Sequence, residues 1–569
     1  MIRSALAATK VTPLAPHGMV VAAHPLGAEV GAAILKRGGN AVDAAVATAF
    51  AMTVVEPFMS TIGGGGTMLA HLAKRGETVA LDFNVQAPAA CHESVYPLEE
   101  GLGVGLFTWR KVTGDANMYG HRSVAVPGSV AGLALAIERY GTMDWSDVLA
   151  PAIALARQGM EPDWYVALTM AVHAAEIAAY PETARTYLRH GHYIHRPPTL
   201  EPGDRMTFPA LAGSLELLAK DGPQAFYRGP IADAIAAEMR AGGGFLSKAD
   251  LAAYTVKTHA PLLGRYRNLE LAFSPGATGG VTALETLNIL SAFPSDQVGC
   301  DSTHGLHLRA EAVRYAFHDR LTYLGDPERV AAPWRALAST AYGEAVASCL
   351  RRRGPRSQKP GPDPWRFEAK TRRAVDPSTA AGPSGDCTTH IGAVDRQRNL
   401  VSLTHTAVSL FGSRVVVPGT GILLSNGMIW FDPEPGRPNS IAPGKRALVN
   451  MVPVLAFRRG EPYLTLGAPG GRKIVSAIPQ VLSNLADMRL GPQRAIEAPR
   501  LHTEGGDLWV DDRVGAKALA ALAKMGHPVV VRQENLSTLF FSRPVAIRVT
   551  KEGLEAGLDH LRASSAAGY

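Results

Sequence analysis

The chain has 569 residues, 46% of them hydrophobic and 19% charged, a balance that excludes a disordered chain and supplies material for large cores. Its formal net charge of +7 is too dilute over this length to suggest nucleic acid and fits a mildly cationic surface or attraction to anionic substrates. Four scattered cysteines, Cys91, Cys300, Cys349 and Cys387, show neither the pattern of a disulfide framework nor the spacing of a zinc site, and a reducing compartment suits them best.

Met1 to Lys10 carries one Arg and several Ala but no sustained apolar stretch before Pro13 and Pro16, so no secretory signal is expected and the location is read as cytoplasmic. Gly38-Gly39-Asn40 reads as a cap ahead of a helix over Ala41–Val55 that is apolar nearly all round. This run carries Asp43, stops at Glu56-Pro57 and is shorter than the ~20 residues a membrane span needs. Gly63 to Gly66 predict a tight turn into a strand where backbones approach closely. No Lys-Ser or Lys-Thr follows, which argues against a phosphate loop.

From Ser129 to Lys257 the pattern predicts a helical layer, with segments Val130–Arg139, Trp145–Gln158 and Pro230–Ala241. Ser129, between Gly128 and Gly132, lacks the elbow spacing of a hydrolase serine and reads as a turn or helix cap. His190, His192 and His195 lie close together, but no carboxylate or cysteine accompanies them and Pro197-Pro198 follows, so a surface loop is favoured over a metal site. A further helix is expected over His304–Tyr323, with Leu308, Ala312, Tyr315 and Ala316 at helical spacing.

Gly354 to Ser384 is rich in Pro, Gly, Arg and Ser, the composition of an exposed, mobile linker. The basic residues from Arg351 to Arg373 belong to this solvated stretch, with only Trp365 and Phe367 as aromatic faces. Alternation begins abruptly at Cys387. Thr388 to Val394 and Leu400 to Thr406, joined by the polar turn Asp395–Asn399, predict a hairpin with Thr388 at its start and Thr406 on the partner strand. If the linker were cut away before Thr388, the new α-amine, with a pKa of ~7.7–8.0, could take the proton of the adjacent hydroxyl. One residue would then supply nucleophile and base. On its own this pattern is weak, because Thr-Thr at a strand start is common.

An ordered set of motifs gives it weight. Gly38 to Ala47, Gly63 to Gly66, Ala310-Glu311-Ala312, Asp319-Arg320 and Tyr323 to Pro327 are followed by Thr388-Thr389-His390, Val394-Asp395 and Asn399. Pro418 to Leu424, Ala442 to Arg446 and Ala468 to Gly471 continue the series. Together they resemble the γ-glutamyltranspeptidase family along nearly the whole chain. The resemblance implies an α+β fold, an αββα four-layer sandwich of the N-terminal-nucleophile type, with an additional helical layer. It also implies a proenzyme cut between Cys387 and Thr388 into a large subunit, 1–387, and a small subunit, 388–569, which stay together. A dimer of such pairs stays open.

Carried over by motif, Thr388 is the nucleophile, Thr406 the threonine that holds its hydroxyl, and Gly470 and Gly471 the oxyanion-hole donors. No cofactor and no metal are implied, and the partner is a small-molecule amide. The resemblance breaks down in the acyl pocket. Where the family holds a γ-glutamyl head with an arginine, two serines, an asparagine, a glutamine and an aspartate, this chain has Asn84, Val449 and Asn450, Val408, Gly427 and Trp430. The expectation is therefore intact machinery with a different acyl group, such as an oxamate-like or dicarboxylic monoamide substrate. Trp430 and Val408 would form an apolar wall, and Asn84 and Asn450 would hydrogen-bond a carbonyl or carboxylate. The rivals are an ordinary glutathione hydrolase, an unprocessed binding relative, and a family member that cleaves carbon–carbon bonds.

Overall fold

The computed structural model describes residues 9–103, 109–353, 361–368, 387–538 and 540–569. The expected linker over 354–387 thus lies outside the described residues, apart from Cys387 and the stretch 361–368, where Pro364–Phe367 form a 3-10 turn.

Two seven-stranded antiparallel sheets face each other. The first runs in the order Ser565–Gly568, Met19–Ala22, Thr389–Val394, Leu400–Thr406, Gly65–Leu72, Glu77–Phe83 and Lys257–His259. The second runs Leu14–Ala15, Leu554–Leu558, Val545–Val549, Glu461–Gly467, Val454–Arg458, Leu269–Phe273 and Leu262–Tyr266. Val21, Leu69, Val394 and Leu400 of the first meet Leu455, Val545 and Ile547 of the second in one apolar core.

The outer faces are covered by helices, which completes the αββα sandwich. Pro25–Lys36, Ala41–Val55, Ser129–Tyr140, Trp145–Gln158 and Pro209–Asp221 pack on the first sheet. Gly280–Ser291, Thr303–Tyr323, Thr340–Arg353 and Lys473–Ala486 pack on the second. The helices expected from periodicity begin and end within one residue of these bounds or, at Pro230–Ala241, coincide with them.

Ala41–Val55 buries all 15 of its residues. Its start is fixed by a capping box, in which the Asn40 side chain accepts from the Asp43 backbone and the Asp43 carboxylate accepts the Asn40 N–H at 2.8 Å. Next along the chain, the glycine run meets the hairpin closely. A Cβ on Gly64 would lie 2.1 Å from the Thr406 carbonyl oxygen, and one on Gly66 would lie 2.4 Å from that of Thr404. The glycines are needed because the strand they begin is seated directly on the strand that ends at Thr406.

Candidate active site

The hairpin forms in the expected register, with Val394 opposite Leu400 and Thr389 opposite His405, which brings Thr388 beside Thr406. Its polar turn is tied to the helical layer. The Asp395 carboxylate accepts the Asn399 N–H at 3.0 Å, the Asn399 side-chain amide at 2.7 Å and the Ala41 N–H at 2.9 Å, so it also occupies a free donor at the first helical residue. His390 is buried on the same strand, with Nδ1 2.9 Å from the Thr404 hydroxyl, and burial drives its pKa down to about 3. It is a neutral packing group.

Thr388 is buried, and its hydroxyl donates to Thr406 Oγ1 at 3.2 Å while also lying against the Cys387 carbonyl oxygen. Thr406 Oγ1 in turn accepts the Val408 N–H at 2.8 Å. A backbone donor thereby fixes the oxygen that holds the Thr388 hydroxyl. Val408 achieves this at φ +83°, a left-handed conformation that costs a β-branched residue of order 1–3 kcal/mol. Cys387 is equally buried. Its thiol donates to the carbonyls of Phe58 and Met59 at 3.0 and 3.1 Å, and burial pushes its pKa well above the ordinary thiol value. Sealed as a neutral donor, it has no nucleophilic character.

Gly470 and Gly471 form the turn between the strand Glu461–Gly467 and the helix Lys473–Ala486. Gly467, at the end of that strand, lies against the His390 ring, so the turn is close to the start of the hairpin. The Pro469 carbonyl pins the turn by accepting the Ser542 hydroxyl at 2.7 Å and the Arg543 N–H at 3.0 Å. Gly470 has φ +137°, and a Cβ on it would lie 2.7 Å from Ser542 Cα. Among the described residues no acceptor takes the N–H of either glycine. Both glycines immediately precede Arg472, the N-cap of a 14-residue helix whose positive end favours a nearby negative charge.

Four of the six expected pocket residues come together. Val408, Trp430 and Val449 share one buried apolar cluster with Val85, Trp109 and Met451, and Gly427 packs where a Cβ would lie 2.6 Å from both Val85 and Ala125 of that cluster. The other two differ in what they offer. Asn84 is committed to the fold, donating to the Ala447 carbonyl at 3.0 Å and accepting the Val85 N–H at 2.8 Å. Asn450 accepts from Arg320 at 3.0 Å, and its buried Nδ2 has no partner among the described residues. Of these two, Asn450 is the one that keeps a side-chain donor without a partner among the described residues.

Sequence reasoning missed the charges beside this cluster. The Arg472 guanidinium stacks 4.7 Å from the Trp109 ring and pairs with Glu504 at 2.6 Å. Arg320 is fully buried and donates to the carbonyls of Thr278 and Val449; burial, with Arg472 adding to it, lowers its pKa to about 9. Glu504 thus pairs directly with Arg472, and its charge also acts on Arg320. Arg472 could have been found from its place directly after the glycine pair. Trp109 carried no sequence signal.

The remaining candidates are structural. Ser129 opens a helix, donates to the Thr61 carbonyl at 3.2 Å and lies 2.7 Å from His405 Nε2. His190 and His192 lie in an exposed turn, and no group of three or more metal-binding side chains occurs among the described residues. No helix there is long and apolar enough to cross a membrane.

Residues 27–569 match the family model described as Gamma-glutamyltranspeptidase. The chain is 38% identical over 515 residues to the acylase ACY 1 proenzyme of Pseudomonas sp. (strain SE83), covering 90% of this chain and 87% of the relative. It is 34% identical over 538 residues to the glutathione hydrolase proenzyme of Escherichia coli (strain K12), covering 92% and 88%. Its fold superposes on a cephalosporin acylase from Bacillus halodurans with a TM-score of 0.84 at 27% identity, over 100% of this chain and 98% of the other. The chain therefore belongs to the γ-glutamyltranspeptidase family of self-processing N-terminal-nucleophile hydrolases and acyltransferases.

Proposed function

We propose that Thr388 is the nucleophile of an amide hydrolase or acyltransferase, made as a precursor and cut between Cys387 and Thr388 into segments 1–387 and 388–569. The observation that carries this reading is the hydrogen-bonded series from the Val408 N–H through Thr406 Oγ1 to the Thr388 hydroxyl, which rests against the Cys387 carbonyl.

In self-processing, Thr388 Oγ1 adds to the Cys387 carbonyl carbon, the C–N bond breaks to give an ester, and water hydrolyses it. The products are a Cys387 carboxylate and a free Thr388 α-amine. In turnover that amine takes the hydroxyl proton as Oγ1 attacks the substrate amide, and passes it to the departing amine. The Gly470 and Gly471 N–H groups would stabilise the oxyanion, and water or a second amine would then receive the acyl group from Thr388. The two segments stay joined because the hairpin 389–406 lies between the strands Met19–Ala22 and Gly65–Leu72, hydrogen-bonded to both.

The acyl group in this reading lacks an α-ammonium requirement and carries an anionic or carbonyl end, as in a dicarboxylic monoamide or oxamate. Val408, Trp430 and Val449 provide apolar walls, and the Arg320 and Arg472 guanidiniums lie beside them. The likeness to an acylase proenzyme is consistent with it. The purified, processed protein should be offered γ-glutamyl, glutaryl, oxamate and simple acyl amides. Faster turnover of the glutaryl or oxamate member is expected. A large preference for the γ-glutamyl amide would overturn the pocket assignment but leave that of Thr388 standing.

A further inference from the structure

A cavity of about 600 Å³ opens at the edge of the sandwich, outside the Thr388 site. Its apolar walls include Leu262, Pro275, Val281, Pro327, Trp334 and Ala338, and it is also lined by the polar or charged residues Asp82, Lys257, His259, Asp326, Glu328, Arg335 and Arg446. The size and mixture are those of a small-molecule site.

The polar groups divide unequally. Every carboxylate is already engaged. Asp82 pairs with Arg446 at 2.8 Å and Glu328 with Lys257 at 2.5 Å, while Asp326 accepts the backbone N–H groups of Arg446 at 2.9 Å and Glu328 at 3.1 Å. The unused groups are donors or cations. Neither the Arg335 guanidinium nor the His259 ring has a hydrogen-bond or ion-pair partner among the described residues, whereas the Arg446 guanidinium is held by Asp82 and the Thr255 carbonyl. A guanidinium at the cavity with no carboxylate partner would gain charge-assisted hydrogen bonds from an anionic ligand.

We propose that this cavity is a second ligand site, for a monoanionic carboxylate with an apolar, ring-sized body. The ring would rest against Trp334 and Val281, and the carboxylate would meet the unpaired donors. The site shares its framework with the acyl cluster. Ala277 in its wall accepts the Val449 N–H at 2.8 Å, Asp82 accepts the Asn84 N–H at 2.9 Å, and Arg446 precedes Ala447, whose carbonyl holds the Asn84 amide. Occupancy is therefore coupled to the acyl pocket without contact with it.

The test is calorimetric titration of the full-length protein with 4-phenylbutyrate and, separately, with 4-phenylbutanol. One-to-one binding of the acid is expected, with the alcohol weaker by about tenfold or more because it lacks the charge-assisted hydrogen bonds. Arg335→Glu, at an exposed position, should weaken the acid about fivefold or more through like-charge repulsion. Ala338→Trp, which fills the cavity, should abolish binding. In turnover assays the acid should shift KM at least about twofold in the natural sequence and leave the Ala338→Trp variant unaffected, as linkage between two sites requires. Equal affinity for acid and alcohol, or affinity untouched by both substitutions, would refute the site. So would binding that survives Ala338→Trp but is lost in Trp430→Ala, since the ligand would then sit in the acyl pocket.

Discussion

Thr388 and Thr406 face each other across the hairpin with their hydroxyl oxygens 3.2 Å apart, and the Val408 N–H holds the second of them at 2.8 Å. In Thr406→Ala the Thr388 hydroxyl loses the acceptor that aims it. A hydrogen bond of this kind is worth about 1–2 kcal/mol, so cleavage and turnover should each slow by about 5- to 30-fold. Thr406→Ser, which keeps the oxygen, should retain most of the rate. Thr388→Ala should give one undivided band on a denaturing gel after long incubation. Two fragments from that variant would remove Thr388 from the chemistry.

Gly470 tests the proposed oxyanion donors. Alanine there faces two obstacles, a φ of +137° that L side chains rarely adopt and a Cβ 2.7 Å from Ser542 Cα. The turn must move, and its N–H groups move with it. Loss of one such donor costs on the order of 10²–10³ in kcat. Gly470→Ala is expected to lose that much while its melting curve stays cooperative, and a variant with unchanged kcat would exclude the turn from catalysis.

The hairpin, the capped helix and the glycine run were legible because each depends on local signals: alternation from Thr388, a cap at Asn40, and the absence of side chains at Gly63–Gly66. The motif order from Gly38 to Gly471 then supplied the layers. The environment of the pocket positions was not legible. Asn84 looks like a free amide in the sequence, yet it is committed to the Ala447 carbonyl and the Val85 N–H, 363 positions away and next door respectively. Arg320 reads as one residue of a helix, and only the tertiary packing places it against Val449 and Asn450. Long-range pairings leave no periodic trace, and neither does a positive φ such as that of Val408.

Glu504 is a buried carboxylate that pairs with Arg472 and acts on Arg320. Burial raises its pKa, but Arg472 and His502 more than offset this and bring it down to about 2. A carboxyl with a depressed pKa contributes stability that is present above its unfolded value near 4.5 and is lost as pH falls toward 2. Glu504→Gln should destabilise the protein at pH 7 by about 3–5 kcal/mol, because it removes one partner of a buried ion pair. The gap between variant and natural sequence should narrow as pH falls below 4.5. Denaturant melts across pH 3–7 measure it, and a gap independent of pH would show that the ion pair is not its source.

Glu56 has the opposite sign. It follows the Ala41–Val55 helix, is buried, and has Oε2 without a partner among the described residues. Burial raises its pKa to about 8, Arg543 draws it partly back, and its charge also acts on the Cys387 thiol. The folded state therefore keeps the proton while the unfolded chain releases it near 4.5. The resulting penalty on folding is absent below that value, grows between 4.5 and about 8, and is constant above. Glutamine preserves the shape and cannot ionise. Glu56→Gln should match the natural sequence in stability near pH 4 and exceed it above pH 8 by a few kcal/mol, roughly 5 at the most. A melting-temperature series from pH 4 to 9 tests this: the two curves must diverge as pH rises, and parallel curves would mean that Glu56 is ionised in the folded protein at neutral pH.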